Sequence, residues 1–400
     1  MIELIANLEE RFREKYTFYR MEIHRNPELS YHEERTASLV ADVLKGLGTE
    51  VHTGVGGHGV VGILKGKGPG RCVGLRADMD ALSIQENTGL PWSSENDGVM
   101  HACGHDAHTA VLLGAAHVLS EMTDRFDGTI KFVFQPAEEN SPTGGAPFMI
   151  KDGVLDNPKV DAMLGLHVWP TLKTGIIGLQ TGAVSAASDR LGIVVHGKAC
   201  HASMPDMGID AVVVGSAVVM ALQTILSRSV GASDRAVLTL GTVKGGDRYN
   251  IVADKVTYDG TVRTFDPTVR KTMERLIKRT SEGVAQSLGG MAEVNYSHGY
   301  PSAMNDPEVT SVAQRAVVEV LGEKGLLSDL PVHPGGEDFA FFAEKVPSAF
   351  AWLGCCPEDV DFEDMPPLHN EKFLPDERAL PIGVRFMVAG ALEMLKGEER

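Results

Sequence analysis

Cysteine is scarce and basic charge is in deficit, and each shortage narrows what this chain can be. Five cysteines (Cys72, Cys103, Cys200, Cys355 and Cys356) are too few and too irregularly placed for a disulfide framework, and an odd number suits reduced thiols. The adjacent Cys355-Cys356 pair is expected to be buried and nothing more. Lysine and arginine total 37 against 54 aspartates and glutamates, a net charge of -17. Phosphate binding needs clustered cations, so this balance argues against nucleic acid and against an anionic membrane surface as partners. Long apolar runs are missing too: the longest, Ala211 to Leu222, contains Gly215 and Ser216 and is too short to span a bilayer. Met1 to Arg20 is charged throughout, lacks the apolar centre of a signal peptide and reads as an amphipathic surface helix. The expectation is a cytoplasmic protein. Internal repeats and low-complexity tracts are also absent from the sequence.

What is present is an ordinary soluble composition, 43% hydrophobic and 23% charged over 400 residues, long enough for two domains. Ser30-Tyr31-His32-Glu33 has capping-box spacing ahead of a helical run through Ala37, Val40, Ala41 and Leu44 that Gly46 and Gly48 stop. Short apolar runs at Val60 to Leu64, Cys72 to Leu75, Thr129 to Phe134 and Ala162 to Leu166 fit buried strands, with a helix from about Thr109 to Met122 between them. Strands alternating with helices imply an α/β fold: a mostly parallel sheet with helices on both faces, whose ligands gather beyond the carboxyl ends of the strands. From about Ser185 the order becomes strand (Arg190 to Val195), helix (Asp210 to Ser227), two strands (Ala236 to Val243, Lys255 to Thr264), helix (Thr268 to Gln286) and strand (Ala292 to Ser297). This βαββαβ order is that of an inserted α+β ferredoxin-like domain. Residues 1–184 and 300–400 would then form the larger domain around an insertion at 185–299. The helix at Asp210 is apolar enough that its outer face either meets a partner subunit or packs only on its own sheet. After the insertion come a helix (Pro307 to Leu321), a strand (Ser348 to Leu353) and a final helix (Glu377 to Leu395).

The densest chemistry lies in His101-Ala102-Cys103-Gly104-His105-Asp106-Ala107-His108, where thiol and imidazole groups suited to zinc and its neighbours crowd one short stretch. Other candidates follow apolar strands: Asp78 and Asp80, the adjacent pair Glu138-Glu139, and His167. Two neighbouring carboxylates repel unless a positive charge sits beside them, and a metal supplies one. One carboxylate can then ligate while the other acts as general base toward water. Asp78 and Asp80 could orient an imidazole, or Asp78 could merely cap a turn. Isolated histidines (His24, His32, His52, His58, His117, His196, His298 and His333) carry no assignment, since such residues are more often satisfied structural groups.

Taken together, Arg76-Ala77-Asp78-Met79-Asp80-Ala81-Leu82, His101 to His108, Gln135-Pro136-Ala137-Glu138-Glu139, Gly165-Leu166-His167, Gly197 to His201, Gly335 to Phe339 and Leu368-His369-Asn370 resemble the aminoacylase and carboxypeptidase superfamily of dinuclear metallohydrolases. Within it they are most similar to hippurate hydrolases, N-acyl amino acid amidohydrolases and auxin-conjugate hydrolases. The resemblance implies two divalent ions, zinc or manganese first and cobalt or nickel as alternatives, held by Cys103, His105, Glu139, His167 and His369. It further implies Glu138 as general base, Asp80 orienting a ligand, and His201 as a lid histidine that reaches a neighbouring subunit's site, hence a homodimer. Asn250 and Arg263, on lid strands, would hold the substrate carboxylate, and Gly335 and Gly336 would line the pocket. Where the wider superfamily has a metal-binding histidine, this chain has Asp78. The implied substrate is a small N-acyl amino acid; unblocked dipeptides or N-acetyl-diaminopimelate are the alternative. Two other classes stay open, a Cys103/His nucleophilic hydrolase, which would need a free low-pKa thiolate, and a non-catalytic metal-binding protein.

Overall fold

Apolar runs bounded by glycine and separated by amphipathic stretches fold into the alternation that their periodicity dictates. The computed structural model describes residues 1–397. In chain order come α1 (Ile2–Arg25), α2 (Glu34–Gly46), β1 (Glu50–Val55), β2 (Gly59–Lys65), β3 (Cys72–Asp78), α3 (His105–Ser120), β4 (Thr129–Gln135), α4 (Ala146–Lys151), β5 (Ala162–Lys173), β6 (Ile177–Gly178) and β7 (Gly182–Ala183). Next are β8 (Ala187–His196), α5 (Ala211–Thr224), β9 (Ala236–Gly245), β10 (Lys255–Thr264), α6 (Pro267–Ser287) and β11 (Met291–Ser297). The chain closes with β12 (Met304–Asn305), α7 (Pro307–Leu321), β13 (Leu326–Leu327), α8 (Phe339–Ala343), β14 (Ser348–Cys356) and α9 (Ala379–Lys396). These make two compact units: a large one of Met1–Val184, Met304–Pro331 and Asp338–Arg400, and a small one of Ser185–Ala303 and Val332–Glu337.

The large unit is built on an eight-stranded sheet in the order β1-β2-β4-β3-β5-β14-β6-β13. Its centre, β4, β3, β5 and β14, is parallel, while β1 and β2 run antiparallel at one edge. Every residue of β3 and β14 is buried, as expected of parallel strands covered on both faces. Helix α3 is apolar on all sides because it lies inside the core, with only Ser120 not buried, and α1 and α9 share that core. The edge strand β1 was not legible in the sequence, being mostly exposed and polar. The β7 and β12 stubs pair antiparallel, Ala183 opposite Met304 and Gly182 opposite Asn305.

In the small unit the sheet order is β11-β8-β10-β9, all antiparallel, with α5 and α6 contributing to one core. Asp210 and Asp266 cap the two helices by accepting backbone N–H bonds in the first turn. Helix α5 buries Ala211, Val214, Val218 and Leu222, whereas Val213 and Met220 on its other side are 59% and 69% exposed. The helical stretch continues past the Leu222 at which the apolar run was expected to end, and Ala211–Ser229 is long and apolar enough to cross a membrane by length and composition alone. Its inner side is already spent on the sheet.

Four expectations need correction. Helix α3 starts at His105, not near Thr109, because Gly104 turns the backbone left-handed (φ 87°) and places His105, Asp106 and His108 within the helix. Strand β5 does not stop before His167 but runs on to Lys173. The capping box ahead of α2 does not form: Glu33 is the N-cap residue and its side chain makes no capping bond to the helix, and Ser30 donates instead to Asp80. Asn250 lies in a turn, beside an isolated pairing of His201 with Ile251, and not on a strand; Arg263 is on β10.

Candidate metal centre

The large unit gathers Cys103, His105, Glu138, Glu139, His167 and His369. A Cβ at position 104 would stand 2.5 Å from Val168 Cγ2, so only glycine lets the loop before α3 approach β5 this closely. Ligand-type atoms of Cys103, His105 and His167 consequently lie within 4.8 Å of one another, as do those of Cys103, Glu139 and His369 and those of His105, Glu138 and Glu139. Cys103 Sγ is 3.3 Å from His167 Nε2, and His369 Nε2 is 3.2 Å from Glu139 Oε1. His369 reaches inward from a left-handed turn (φ 64°) whose N–H donates to Ala102 O at 2.8 Å.

The imidazoles are oriented by acceptors behind them. His105 Nδ1 donates to the Asp80 carbonyl at 2.9 Å and lies 3.3 Å from Asp80 Oδ1, while His167 Nδ1 donates to Val168 O at 2.7 Å. Each ring therefore turns Nε2 toward the cluster, and His105 Nε2 is buried without a hydrogen-bond partner among the described residues. Burial alone would lower the His105 pKa, but Asp78, Asp80 and Glu139 outweigh it and push it up to about 10. That surplus of negative charge draws a proton to a site where a divalent cation would serve the same end. Burial, then Glu139 and Glu138, hold the Cys103 thiol well above its ordinary range. A free, low-pKa thiolate is the opposite of what this setting favours, which argues against a cysteine nucleophile.

Beneath the cluster runs a buried polar frame. Asp78, where the sequence left a turn cap open, is instead fully buried: it accepts from Arg76 Nη1 at 2.7 Å and from His108 Nδ1 at 2.6 Å. Burial would raise its pKa, but Arg76 and the imidazoles of His105 and His108 hold it well below the usual carboxylate range. His108 Nε2 in turn accepts the Val168 N–H at 2.9 Å, bracing β3 to the residue after His167. Arg76 also reaches Asp338 Oδ1 at 2.9 Å and Gln135 Oε1 at 2.8 Å, and the Asp338 N–H points at Glu138 Oε1 at 3.4 Å. His108, Arg76, Gln135 and Asp338 were not assigned from sequence. The available signal for His108 was its spacing of three from His105 on one helix face.

Asp80 ties the acidic pair in place, its Oδ1 accepting the Glu138 N–H and its Oδ2 the Glu139 N–H, each at 3.0 Å. The remaining candidates belong to the small unit. His201 is exposed, with Nδ1 accepting the Ser203 N–H at 3.1 Å, which leaves the ring proton on Nε2. The half-buried Arg263 lies opposite Ser188 and Val237, its pKa lowered by burial. Gly335 and Gly336 leave no room for side chains: a Cβ would meet the His333 ring at 2.4 Å and Ser188 Oγ at 2.9 Å respectively.

Residues 74–393 match peptidase family M20/M25/M40. The chain belongs to that family. It is 38% identical over 380 residues to the N-acetyl-L-cysteine deacetylase of Bacillus subtilis, covering 95% of this chain and 88% of that one. To the hippurate hydrolase of Campylobacter jejuni it is 37% identical over 377 residues, 94% of this chain and 96% of that one. A crystal structure of a dinuclear metal-binding M20 peptidase from Bacillus subtilis superposes with a TM-score of 0.84 at 32% identity, covering 97% of this chain and 100% of that one. Like its M20 relatives, the chain is a hydrolase of amide bonds.

Proposed function

We propose that this M20 hydrolase cleaves the acyl–nitrogen bond of small N-acyl amino acids, releasing a carboxylic acid and a free amino acid. The observation that carries this is the convergence of buried Cys103, His105 and His167 with the partly buried Glu139 and the exposed His369, Glu138 lying beside them. This donor set of thiol, imidazole and carboxylate fits two divalent ions, zinc or manganese by ligand chemistry and cobalt or nickel by tolerance. When bound, such ions polarise the acyl carbonyl and make water more acidic.

The protein's own groups do the rest. Glu138 takes the proton from the attacking water and returns it to the leaving nitrogen; its carboxylate is steered by the Asp338 N–H and by Asp80 beneath its own N–H. His201, with its proton on Nε2, is a donor for the oxyanion and would serve a neighbouring subunit's site, worth on the order of 3 kcal/mol of barrier. Arg263 and Asn250 suit a substrate carboxylate, since a guanidinium fork pairs with one bidentately and an asparagine side-chain N–H can donate to one. Homodimerisation through the small unit is supported by the exposed apolar side of α5 and by β9, an edge strand carrying exposed Val237 and Val243. A cytoplasmic setting suits five unpaired thiols.

Release of free amino acid from N-benzoyl, N-acetyl and indoleacetyl amino acids, alongside unblocked dipeptides, tests the proposal before and after chelation and metal restoration. Cleavage of blocked substrates that chelation stops and metal restores supports it. Cleavage of dipeptides alone overturns it in favour of a dipeptidase. Glu138→Gln should lower kcat by roughly 100-fold or more while metal content stays at two ions per chain.

A further inference from the structure

Three consecutive backbone N–H groups, those of Ala137, Glu138 and Glu139, each end on a buried carboxylate. Asp80 accepts the last two, as described, and Glu33 Oε1 accepts that of Ala137 at 2.7 Å. Ala137 carries a side chain yet sits in the left-handed region (φ 57°), a conformation that persists only where its surroundings enforce it. Glu33 comes from far away in sequence, the turn just before α2. The same Oε1 accepts the Tyr31 N–H at 3.1 Å; Tyr31 Oη donates to Gly144 O at 2.9 Å, further along the loop that follows Ala137; and Ser30 Oγ donates to Asp80 Oδ2 at 2.6 Å. Ser30, Tyr31 and Glu33, whose spacing promised a helix cap, are thus turned away from α2 and clasped onto Asp80 and the loop at 137–144. Glu33 is completely buried, its Oε1 is held by two backbone N–H groups, and its Oε2 has no hydrogen-bond partner among the described residues. A carboxyl group in such a place is unfavourable for folding, so its presence calls for a use beyond packing.

We propose that Glu33 is a positioning residue for hydrolysis: through the Ala137 N–H it holds the strained turn that aims Glu138 at the reacting water. It acts on the backbone and not on the substrate. This rests on Glu138 being the general base. Removing the acceptor lets the turn relax toward an ordinary backbone conformation, and displacement of a general base by about 1 Å is enough for a loss near 100-fold.

The test compares Glu33→Ala with Glu33→Gln, whose amide oxygen can still accept from Ala137 and Tyr31. At full metal loading, Glu33→Ala should lower kcat by about 10- to 100-fold with KM within about twofold, and Glu33→Gln should stay within about threefold of the parent. Hydrogen exchange on the metal-free proteins gives a readout free of catalysis: the amides of residues 137–139 should exchange at least ~10-fold faster in Glu33→Ala and at the parent rate in Glu33→Gln. If Glu33→Ala does not fold, Glu33→Asp, which withdraws the acceptor by one methylene, carries the same expectation. An unchanged kcat in the alanine variant, equal damage from glutamine, or unchanged exchange overturns the proposal. Failure of the parent to cleave any N-acyl amino acid would sink the substrate assignment instead, and the exchange measurement would still decide whether Glu33 holds the turn.

Discussion

Raising the pH through 9 should loosen the hold of α1 on the start of α3, and the reason lies at His24. Its Nδ1 is 2.9 Å from Asp106 Oδ2 and its Nε2 is 3.2 Å from Glu86 Oε1. Both partners only accept, so both ring nitrogens donate and the buried imidazole is charged. Burial pulls the pKa of His24 down, but Asp106 and Glu86 more than compensate and push it up to about 9. Against an ordinary value of 6.5 the difference is worth about 3 kcal/mol. It is an upper figure, since Arg20 Nε also serves Asp106 at 3.2 Å and would keep part of the attraction. Folding raises this pKa, so the stabilisation is complete below pH 6.5 and is lost as pH climbs through about 9. The assay is urea denaturation of metal-free protein from pH 6 to pH 10, with His24→Asn alongside. Trp92, whose ring meets His24 edge-on at 4.9 Å, contributes a local fluorescence signal. The parent should start about 3 kcal/mol more stable than the variant and converge on it at high pH. A stability difference that stays flat across the window refutes a charged His24.

Gly104→Ala should cut metal affinity by on the order of 10- to 100-fold in competition with a chelator, because its Cβ would collide with Val168 and shift Cys103 and His105. Lys131→Met should destabilise the large unit by about 2 to 4 kcal/mol in denaturant melts, since the buried Lys131 ammonium serves the carbonyls of Val154 and Asp156 and both would lose their donor. Met220→Lys should halve the mass in light scattering if the exposed side of α5 is the dimer contact, and leave the melting temperature of the monomer nearly unchanged.

Much of the site could be seen in advance because its chemistry is local: His101 to His108 and Glu138-Glu139 concentrate residue types that have few other uses. The family, the α/β class and amide hydrolysis were all legible from those short stretches in order. What could not be seen was pairing across the chain. Ser30 and Glu33 have the spacing of a helix cap, and nothing nearby says that Asp80 and Ala137 will outbid α2 for them. His24 carried no assignment, because burial beside Asp106 exists only after α1 packs on α3. Strand β1 escaped notice for a different reason: as an exposed edge it carries no apolar alternation to betray it. The early start of α3 was hidden by its polar first turn, where His105, Asp106 and His108 are all buried because each is held by a partner supplied from elsewhere.

The stub pairing of β7 with β12 bears on how the large unit could assemble. Strands β5 and β14 are neighbours in its sheet, yet the whole small unit is threaded between them. As an unfolded loop, that stretch would tax their meeting by chain entropy. Within the folded small unit the Ser188 N–H donates to Tyr300 O at 2.9 Å, and within the large unit Ala183 stands opposite Met304. For the rest of the chain the insertion then behaves as a short tether. Loop entropy grows only with the logarithm of length, so the saving is on the order of 1 kcal/mol. That is small beside the stability of the core but amounts to several-fold in rate. A small unit able to fold first would therefore act as a splint, bringing β14 to β5 before residue 369 has to find residue 103.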